Sequence, residues 1–413
     1  MNCKDKNVTI MGLGRFGGGL GVTKWFLEQG ANVLLTDLAS KEDLREELRE
    51  LGEHPNLTLI LGEHRKEDFS TADVVIANPA VPKPWENEYL KTAWEHNIEV
   101  TTEIALVVDE LDRNQVVGVT GTAGKSTTVA MLHEALLGSE IAAHIGGNIG
   151  GSLLSSLQQI KQSDVVIIEL SSAMLWWLDK VGEWAPRVAV LTTVEENHID
   201  WHGTFEEYCR CKRCLFEHQH CEDVSITQDP TSSFSGLTVL GAHNERNAAV
   251  AFLAAVEMGA NVESARKAIQ AFKGLPHRLQ TVVSGYYNDS KSTTPTATAL
   301  AIDAFQDASK VHVIVGGYDK KLDLSLLADQ SLRVAKMYAI GDTAKTICAL
   351  AKGNVQDCGT LAVAVYEAMR TMREGDVLVL SPGCASWDQF DNYEQRGEEF
   401  IALVNTASHQ QVH

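Results

Sequence analysis

Residues 116–120 are an apolar, β-branched run, Val-Val-Gly-Val-Thr, that passes directly into Gly121-Thr122-Ala123-Gly124-Lys125-Ser126-Thr127 and a helix-forming stretch ending at Leu137. Strand, glycine turn and helix in that order leave few folds open, because such a unit buries its apolar faces only inside a layered α/β architecture. The turn also carries chemistry. Glycines let backbone N–H groups approach phosphate oxygens, Lys125 reaches the outer phosphates, and the Ser126 hydroxyl can ligate Mg²⁺. Val119 stands where strict Walker spacing places a first glycine. Gly121, Thr122, Gly124, Lys125, Ser126 and Thr127 are therefore read as an ATP phosphate loop.

The same rhythm recurs along the chain. Asn7–Met11, Ala31–Thr36, Asp73–Ala77 and Ile98–Val100 read as strands, with a helix over Leu20–Gln29. Val116–Thr120, Val165–Glu169 and Val188–Thr192 form a second set, and Val311–Val315, Met337–Ile340 and Val377–Leu380 a third. Strands alternating with helical patterns predict an α/β protein with parallel sheets. At 413 residues the chain exceeds one ordinary core. We expect three domains: a Rossmann-like N-terminal domain at 1–109, a central P-loop ATPase-type parallel sheet at 110–275, and a C-terminal Rossmann-like domain at 276–413, the last preceded by a hinge at Gly274-Leu275-Pro276-His277.

A net charge of −20 argues against a duplex nucleic-acid binder, which needs surplus Lys and Arg. No apolar run approaches the ~20 residues that span a bilayer, and Met1–Lys6 leads into a strand without the apolar segment of a signal peptide, so a cytoplasmic protein without a membrane span is expected. Cys209, Cys211, Cys214 and Cys221, with His218 and His220 among them, invite a zinc reading. Their spacing matches no paired-CxxC pattern, and a continuous helix over Glu206–Glu217 would scatter the thiols.

Gly12-Leu13-Gly14-Arg15-Phe16-Gly17 follows the first strand, and Asp37 ends the second. That is a dinucleotide-type fingerprint, in which Asp37 can meet a ribose hydroxyl. Glu169 ends an apolar strand, at the edge where open α/β sheets place ligands, and offers a hard oxygen suited to Mg²⁺. Ser171 and Ser172 after it read as a helix cap. His198 lies after a strand end among Glu195, Glu196 and Asp200, as a metal ligand would. Asn288-Asp289-Ser290-Lys291 and Ser381-Pro382-Gly383-Cys384-Ala385-Ser386-Trp387-Asp388 are polar loops of the third unit, open to either an anion-binding or a turn-and-cap role.

Taken jointly, the chain resembles the Mur ligase superfamily, and within it the D-glutamate-adding branch. The resemblance rests on the loop at 121–127, Gly147-Asn148-Ile149-Gly150, Glu169-Leu170-Ser171-Ser172, His198, Lys212, His243-Asn244-x-x-Asn247, His277-Arg278, Asn288-Asp289-Ser290-Lys291, and the stretch from Ser381 through Phe390 to Glu394-x-Arg396-Gly397. It implies an enzyme that joins D-glutamate to UDP-N-acetylmuramoyl-L-alanine through an acyl phosphate formed with ATP. It implies that Gly14, Arg15, Phe16, Asp37 and Asn148 meet the UDP substrate. Asn244, Asn247, Arg278 and Asp289 would join the loop in binding ATP, and Lys125, His198, Lys212 and Lys291 would be catalytic. Two Mg²⁺ ions (or Mn²⁺) would be held by Ser126 and Glu169, and by His198 and a carbamylated Lys212. Lys320, Ser386, Trp387 and Phe390 would hold the amino acid. A monomer is expected.

Departures from the family pattern are Ala123 in the loop, Asn197 before His198, Gln280, Asn78-Pro79-Ala80 and Thr102-Glu103-Ile104-Ala105, with a short segment between Lys212 and His243. A Mur-type ligase with another acceptor, an NAD-dependent oxidoreductase built on Gly12-x-Gly14-x-x-Gly17, and a non-catalytic nucleotide-binding regulator are the competing readings.

Overall fold

A computed structural model describes residues 3–13, 18–229, 231–320 and 323–410, with side chains to residue 406. Gly14, Arg15 and Phe16 lie outside the described residues. The chain divides into two compact units, one of Met1–Phe234 with Arg246–Ile269, the other of Ser235–Glu245 with Gln270–His413.

The first unit holds two five-stranded sheets. β1 (Asn7–Met11), β2 (Asn32–Asp37), β3 (Leu57–Leu61), β4 (Val74–Ala77) and β5 (Glu99–Thr101) are ordered 3-2-1-4-5 and wholly parallel. This is the Rossmann-like order, with its switch point between β1 and β4. The helix Gly18–Glu28 packs against β1 through Gly19, whose Cβ would come within 2.3 Å of the carbonyls of Gly12 and Leu13.

β6 (Val116–Thr120), β7 (Ala143–Gly147), β8 (Val165–Glu169), β9 (Val188–Leu191) and β10 (Val224–Thr227) form the second sheet, ordered 10-9-6-8-7 and again wholly parallel. β6 is its central strand and buried throughout, so the glycine loop leaves from the middle of the sheet's ligand edge. Each buried Val or Ile of β6 and β8 contributes on the order of 2 kcal/mol of apolar transfer. Val8, Ile10 and Phe26 of the first sheet's layer share one core with Val166, Ile168 and Leu215 of the second.

The second unit is built on a six-stranded sheet, β11 (Gln280–Val283), β12 (Tyr286–Asn288), β13 (Val311–Gly316), β14 (Lys336–Ile340), β15 (Val355–Gly359) and β16 (Val377–Leu380), ordered 11-12-16-13-14-15. Only β11 and β12 pair antiparallel. Among the described residues no helix is long and apolar enough to cross a membrane.

Candidate active site

The loop after β6 is shaped by two left-handed glycines, Gly121 (φ 148°) and Gly124 (φ 88°), the latter capping the helix Lys125–Leu137. A Cβ on Gly121 would lie 1.9 Å from Thr192 Oγ1, so only glycine fits. Residues leaving β9 brace the loop: Thr192 Oγ1 donates to the Ala123 carbonyl, and the Ala123 N–H donates to Thr193 Oγ1 over 3.0 Å. Ala123 thus contributes through its backbone.

Two lysines converge inside this loop. Lys125 Nζ donates to the carbonyls of Gly121 (2.9 Å) and Thr122 (3.1 Å), and Lys212 Nζ donates to the same Gly121 carbonyl over 2.9 Å. Lys212 projects inward from the helix Phe205–Glu217, whose first turn Thr204 caps. It is 2% exposed, 4.5 Å from the centroid of the Tyr208 ring, and burial, with Lys125 adding to it, lowers its amine to about 7. Tyr208 was not foreseen from sequence. Its hydroxyl meets Thr122 Oγ1 at 2.7 Å and its ring lies 6.3 Å from that of His198. It therefore links the loop, His198 and Lys212.

His198 takes the left-handed conformation (φ 53°) that opens the short helix Ile199–His202. Partial desolvation holds its imidazole below the ordinary value, and the charges of Lys125 and Lys212 act in the same direction against Asp200. His202, which the sequence reading passed over, is buried behind it. One ring nitrogen lies 2.9 Å from Ser172 Oγ and the other 3.6 Å from Cys211 Sγ. The His-x-x-x-His spacing from 198 to 202 was its only sequence signal.

Glu169 ends β8 beside Val119 of β6, at the loop's own edge. Its side chain is 1% exposed; Oε1 accepts from Asn148 Nδ2 over 2.8 Å, while Oε2 is buried with no hydrogen-bond partner among the described residues. Leaving such an oxygen unsatisfied is costly, and a hard divalent cation is the group that satisfies it. The donor set therefore fits Mg²⁺. Ser171 caps the next helix by accepting from the Met174 N–H, so the cap and the carboxylate coexist on adjacent residues. Ser126 and Thr127 are half-buried in the first turn after the loop.

Asn247 also belongs here: Gly124 approaches it so closely that a Cβ would lie 2.5 Å from its Oδ1. Asn244, three residues earlier, falls in the second compact unit and donates to the Leu240 carbonyl. Asp37 accepts the N–H groups of Leu13 and Ala39, each over 2.8 Å, and so shapes the turn after β1. Asn148 reaches Glu169, and the chain beyond it reaches the first sheet's helices through Ser152, which donates to Glu103 over 2.6 Å.

In the second unit, Asp289 accepts from Ser381 Oγ (2.7 Å) and the Leu279 N–H (3.1 Å). Burial pushes its carboxyl up to about 6 against the pull of hydrogen bonds from Ser292 and Ser381. Lys291 lies 5.1 Å from the Tyr393 ring centroid, and Arg278 is exposed. Ser386 and Phe390 fall on one turn, the Phe390 N–H donating to the Ser386 carbonyl over 2.9 Å; Trp387 is 60% exposed with the Lys320 ammonium 4.7 Å over its ring. Arg396, fully buried, ties the two loops together by donating to the carbonyls of Ser290, Cys384 and Ala385. Desolvation lowers it to about 10.

The cysteines diverge along their helix. Cys211 faces His202 and Glu207, whereas Cys214 lies within reach of Asp179 and Glu217, where Arg210 supplies the cation at 3.0 Å from Asp179. Burial holds the Cys214 thiol up at about 12.

Fold and site together define a three-domain parallel α/β protein with a phosphate loop and a metal-type carboxylate at the edge of the loop's own strand. Residues 6–102 match the MurD-like N-terminal domain of Mur ligases, 119–235 the Mur ligase middle domain, and 277–384 the Mur ligase glutamate ligase domain. The chain belongs to the Mur ligase family. Relatives named UDP-N-acetylmuramoylalanine--D-glutamate ligase include one from Desulfatibacillum aliphaticivorans, 33% identical over 98% of this chain and 99% of that relative, and one from Desulfosudis oleivorans, 32% identical over 97% and 96%. The fold is shared with the UDP-N-acetylmuramate-alanine ligase MurC of Thermotoga maritima (TM-score 0.58, 17% identity, 97% of this chain and 100% of that one). It is shared equally with the MurF ligase of the same organism in complex with ADP (TM-score 0.58, 16% identity, 98% and 96%).

Proposed function

We infer that this chain is an ATP-dependent ligase of peptidoglycan precursor synthesis that adds D-glutamate to UDP-N-acetylmuramoyl-L-alanine. Lys125 and Lys212 meeting on Gly121 beside the unsatisfied Glu169 oxygen is the observation that carries the reading, together with relatives of that name along the whole chain.

A carboxylate is a poor electrophile. Transfer of the ATP γ-phosphate to the L-alanyl carboxylate makes an acyl phosphate; the amine of D-glutamate adds to its carbonyl, and phosphate leaves as the amide forms. The work left to the protein is alignment and neutralisation of charge. Lys125 and the loop N–H groups take the outer phosphates, and Asn247 closes the loop's flank. Ser126 and Glu169 would hold one Mg²⁺, and His198 with Lys212 a second, with Mn²⁺ as a substitute. When bound, these ions supply positive charge to the phosphate oxygens. Lys212 serves a cation only as a carbamate, and an amine lowered to about 7 is substantially neutral near pH 8, the form that adds to CO₂ with loss of a proton.

Asp37 with Gly14, Arg15 and Phe16 is assigned to the uridine nucleotide, with Asn148 at that substrate's far end. Asn244, Arg278 and Asp289 are assigned to ATP, and Lys291 to catalysis. Lys320 over Trp387, with Ser386 and Phe390, is assigned to D-glutamate, whose side-chain carboxylate suits the ammonium. We place the domains at 1–109, 110–275 and 276–413, and the enzyme in the cytoplasm as a monomer.

Phosphate release with ATP, UDP-N-acetylmuramoyl-L-alanine and D-glutamate, omitting each in turn, tests the reading. Turnover should require all three. Release with a different amino acid in place of D-glutamate would move the chain to another acceptor, and release with none would leave a nucleotide-binding regulator.

A further inference from the structure

Five of the eight tryptophans form one cluster within the first unit: Trp85, Trp94, Trp176, Trp177 and Trp201 lie in a chain of ring contacts with centroids 5.0–6.4 Å apart. Four of them, all but Trp201, wall a cavity of about 610 Å³. None of Gly121–Thr127, Glu169, His198 or Lys212 lines it. Its two sides come from different domains. Trp85, Trp94 and Val100 belong to the first sheet's layer, and Trp176, Trp177 and Lys180 to the helix Ser172–Val181 that begins just after Glu169.

That volume lies in the range of small-molecule sites, and walls of indole faces favour a flat aromatic body by offset and edge contacts. The charges on the wall are unequal. Arg210 is taken by Glu207, through paired contacts of 2.9 Å, and by Asp179 at 3.0 Å. The Lys180 ammonium lies 5.6 Å from the Trp176 ring centroid, and no carboxylate among the described residues is within ion-pair distance of it. One end of an aromatic slot thus carries a cation without a counter-ion.

We propose that this cavity is a second ligand site, separate from the reaction centre, for a small planar aromatic carboxylate. The ring system stacks among Trp85, Trp94 and Trp176, and the carboxylate pairs with Lys180. A ligand seated there touches the helix that follows Glu169 and the helix that carries Lys212, so the site lies against the supports of the reaction centre without entering it.

The test uses the full chain with 1-naphthylacetate and its neutral isostere 1-naphthylacetamide, followed by saturation-transfer NMR and calorimetry. The acid should bind one per chain with a Kd of about 1 mM or below and raise the thermal unfolding midpoint. The amide should bind about threefold or more weakly, as expected for loss of a part-exposed ion pair. Lys180→Gln should abolish the difference between acid and amide, and Trp94→Ala should weaken both about tenfold, with ATP turnover in both variants near that of the parent. Equal binding of acid and amide, binding unchanged in both variants, or displacement of the acid by ATP or D-glutamate would overturn the proposal.

Discussion

Lys125 and Lys212 donate to one and the same acceptor, the carbonyl oxygen of Gly121, each over 2.9 Å. Burial, with the neighbouring Lys125 charge adding to it, lowers the Lys212 amine to about 7. Lys125→Ala removes the cation assigned to the outer phosphates, and turnover should fall by about a thousandfold or more, with the melting temperature little changed. A variant that retains a tenth of the parent kcat would take Lys125 out of the reaction.

Lys212→Ala should be equally inactive for a different reason, the loss of the oxygens of the proposed carbamate. A short carboxylic acid should restore part of the activity by occupying the space of the missing group. Full activity in Lys212→Ala, measured by phosphate release, would sink the carbamate assignment.

Glu169→Gln separates metal binding from folding. Gln keeps an oxygen for Asn148 Nδ2 and removes the charge from the oxygen that has no partner. Stability without metal should stay within about 1 kcal/mol of the parent. Turnover should drop about a hundredfold, and more Mg²⁺ should be needed to reach half of it. An unchanged Mg²⁺ titration would remove Glu169 from the metal site.

Lys320→Met should raise the KM for D-glutamate about tenfold or more and leave the KM for ATP within twofold, because the ammonium over Trp387 is assigned to the amino-acid side chain alone. Equal changes in both constants would point instead to a collapse of the loop that carries Ser386 and Phe390.

The buried central strands were legible because both of their faces are covered. Val116–Thr120, Val165–Glu169 and Val377–Leu380 are continuous apolar runs, and the structure places strands over those same residues. Edge strands need less: β15, Val-Gln-Asp-Cys-Gly, pairs on one side only and carries no such run, and β7 ends in two glycines. The antiparallel pair β11–β12 was hidden among polar residues that also read as loop. At the candidate site, motif spacing pointed to the loop residues, whereas Tyr208 and His202 were passed over, because what places them there is contacts across the fold. Tyr208 reaches Thr122, 86 positions away in sequence, and His202 reaches Ser172, 30 away.

Glu103 and His202 pull stability in opposite directions as pH changes. Burial pushes the Glu103 carboxyl from 4.5 up to about 7, with one hydrogen bond from Ser152 acting against it. The protonated form is thus favoured in the folded state; this contribution is whole below pH 4.5 and is lost as pH rises through 7. Burial lowers His202 from 6.5 to about 4, so the unfolded chain takes up a proton that the folded chain refuses. Its contribution is whole above pH 6.5 and falls away between 6.5 and 4. Glu103→Gln keeps an acceptor for Ser152 and is neutral at every pH. At pH 8 it should be more stable than the parent by about 1–2 kcal/mol, and at pH 5, where the parent's Glu103 is already protonated, the two should agree within about 0.5 kcal/mol. The acid-side loss of stability below pH 6 should persist in the variant, since His202 still drives it. Chemical denaturation at the two pH values decides the matter: the same gain at both would mean that Gln packs better than Glu, and that the charge at position 103 carries no cost in the fold.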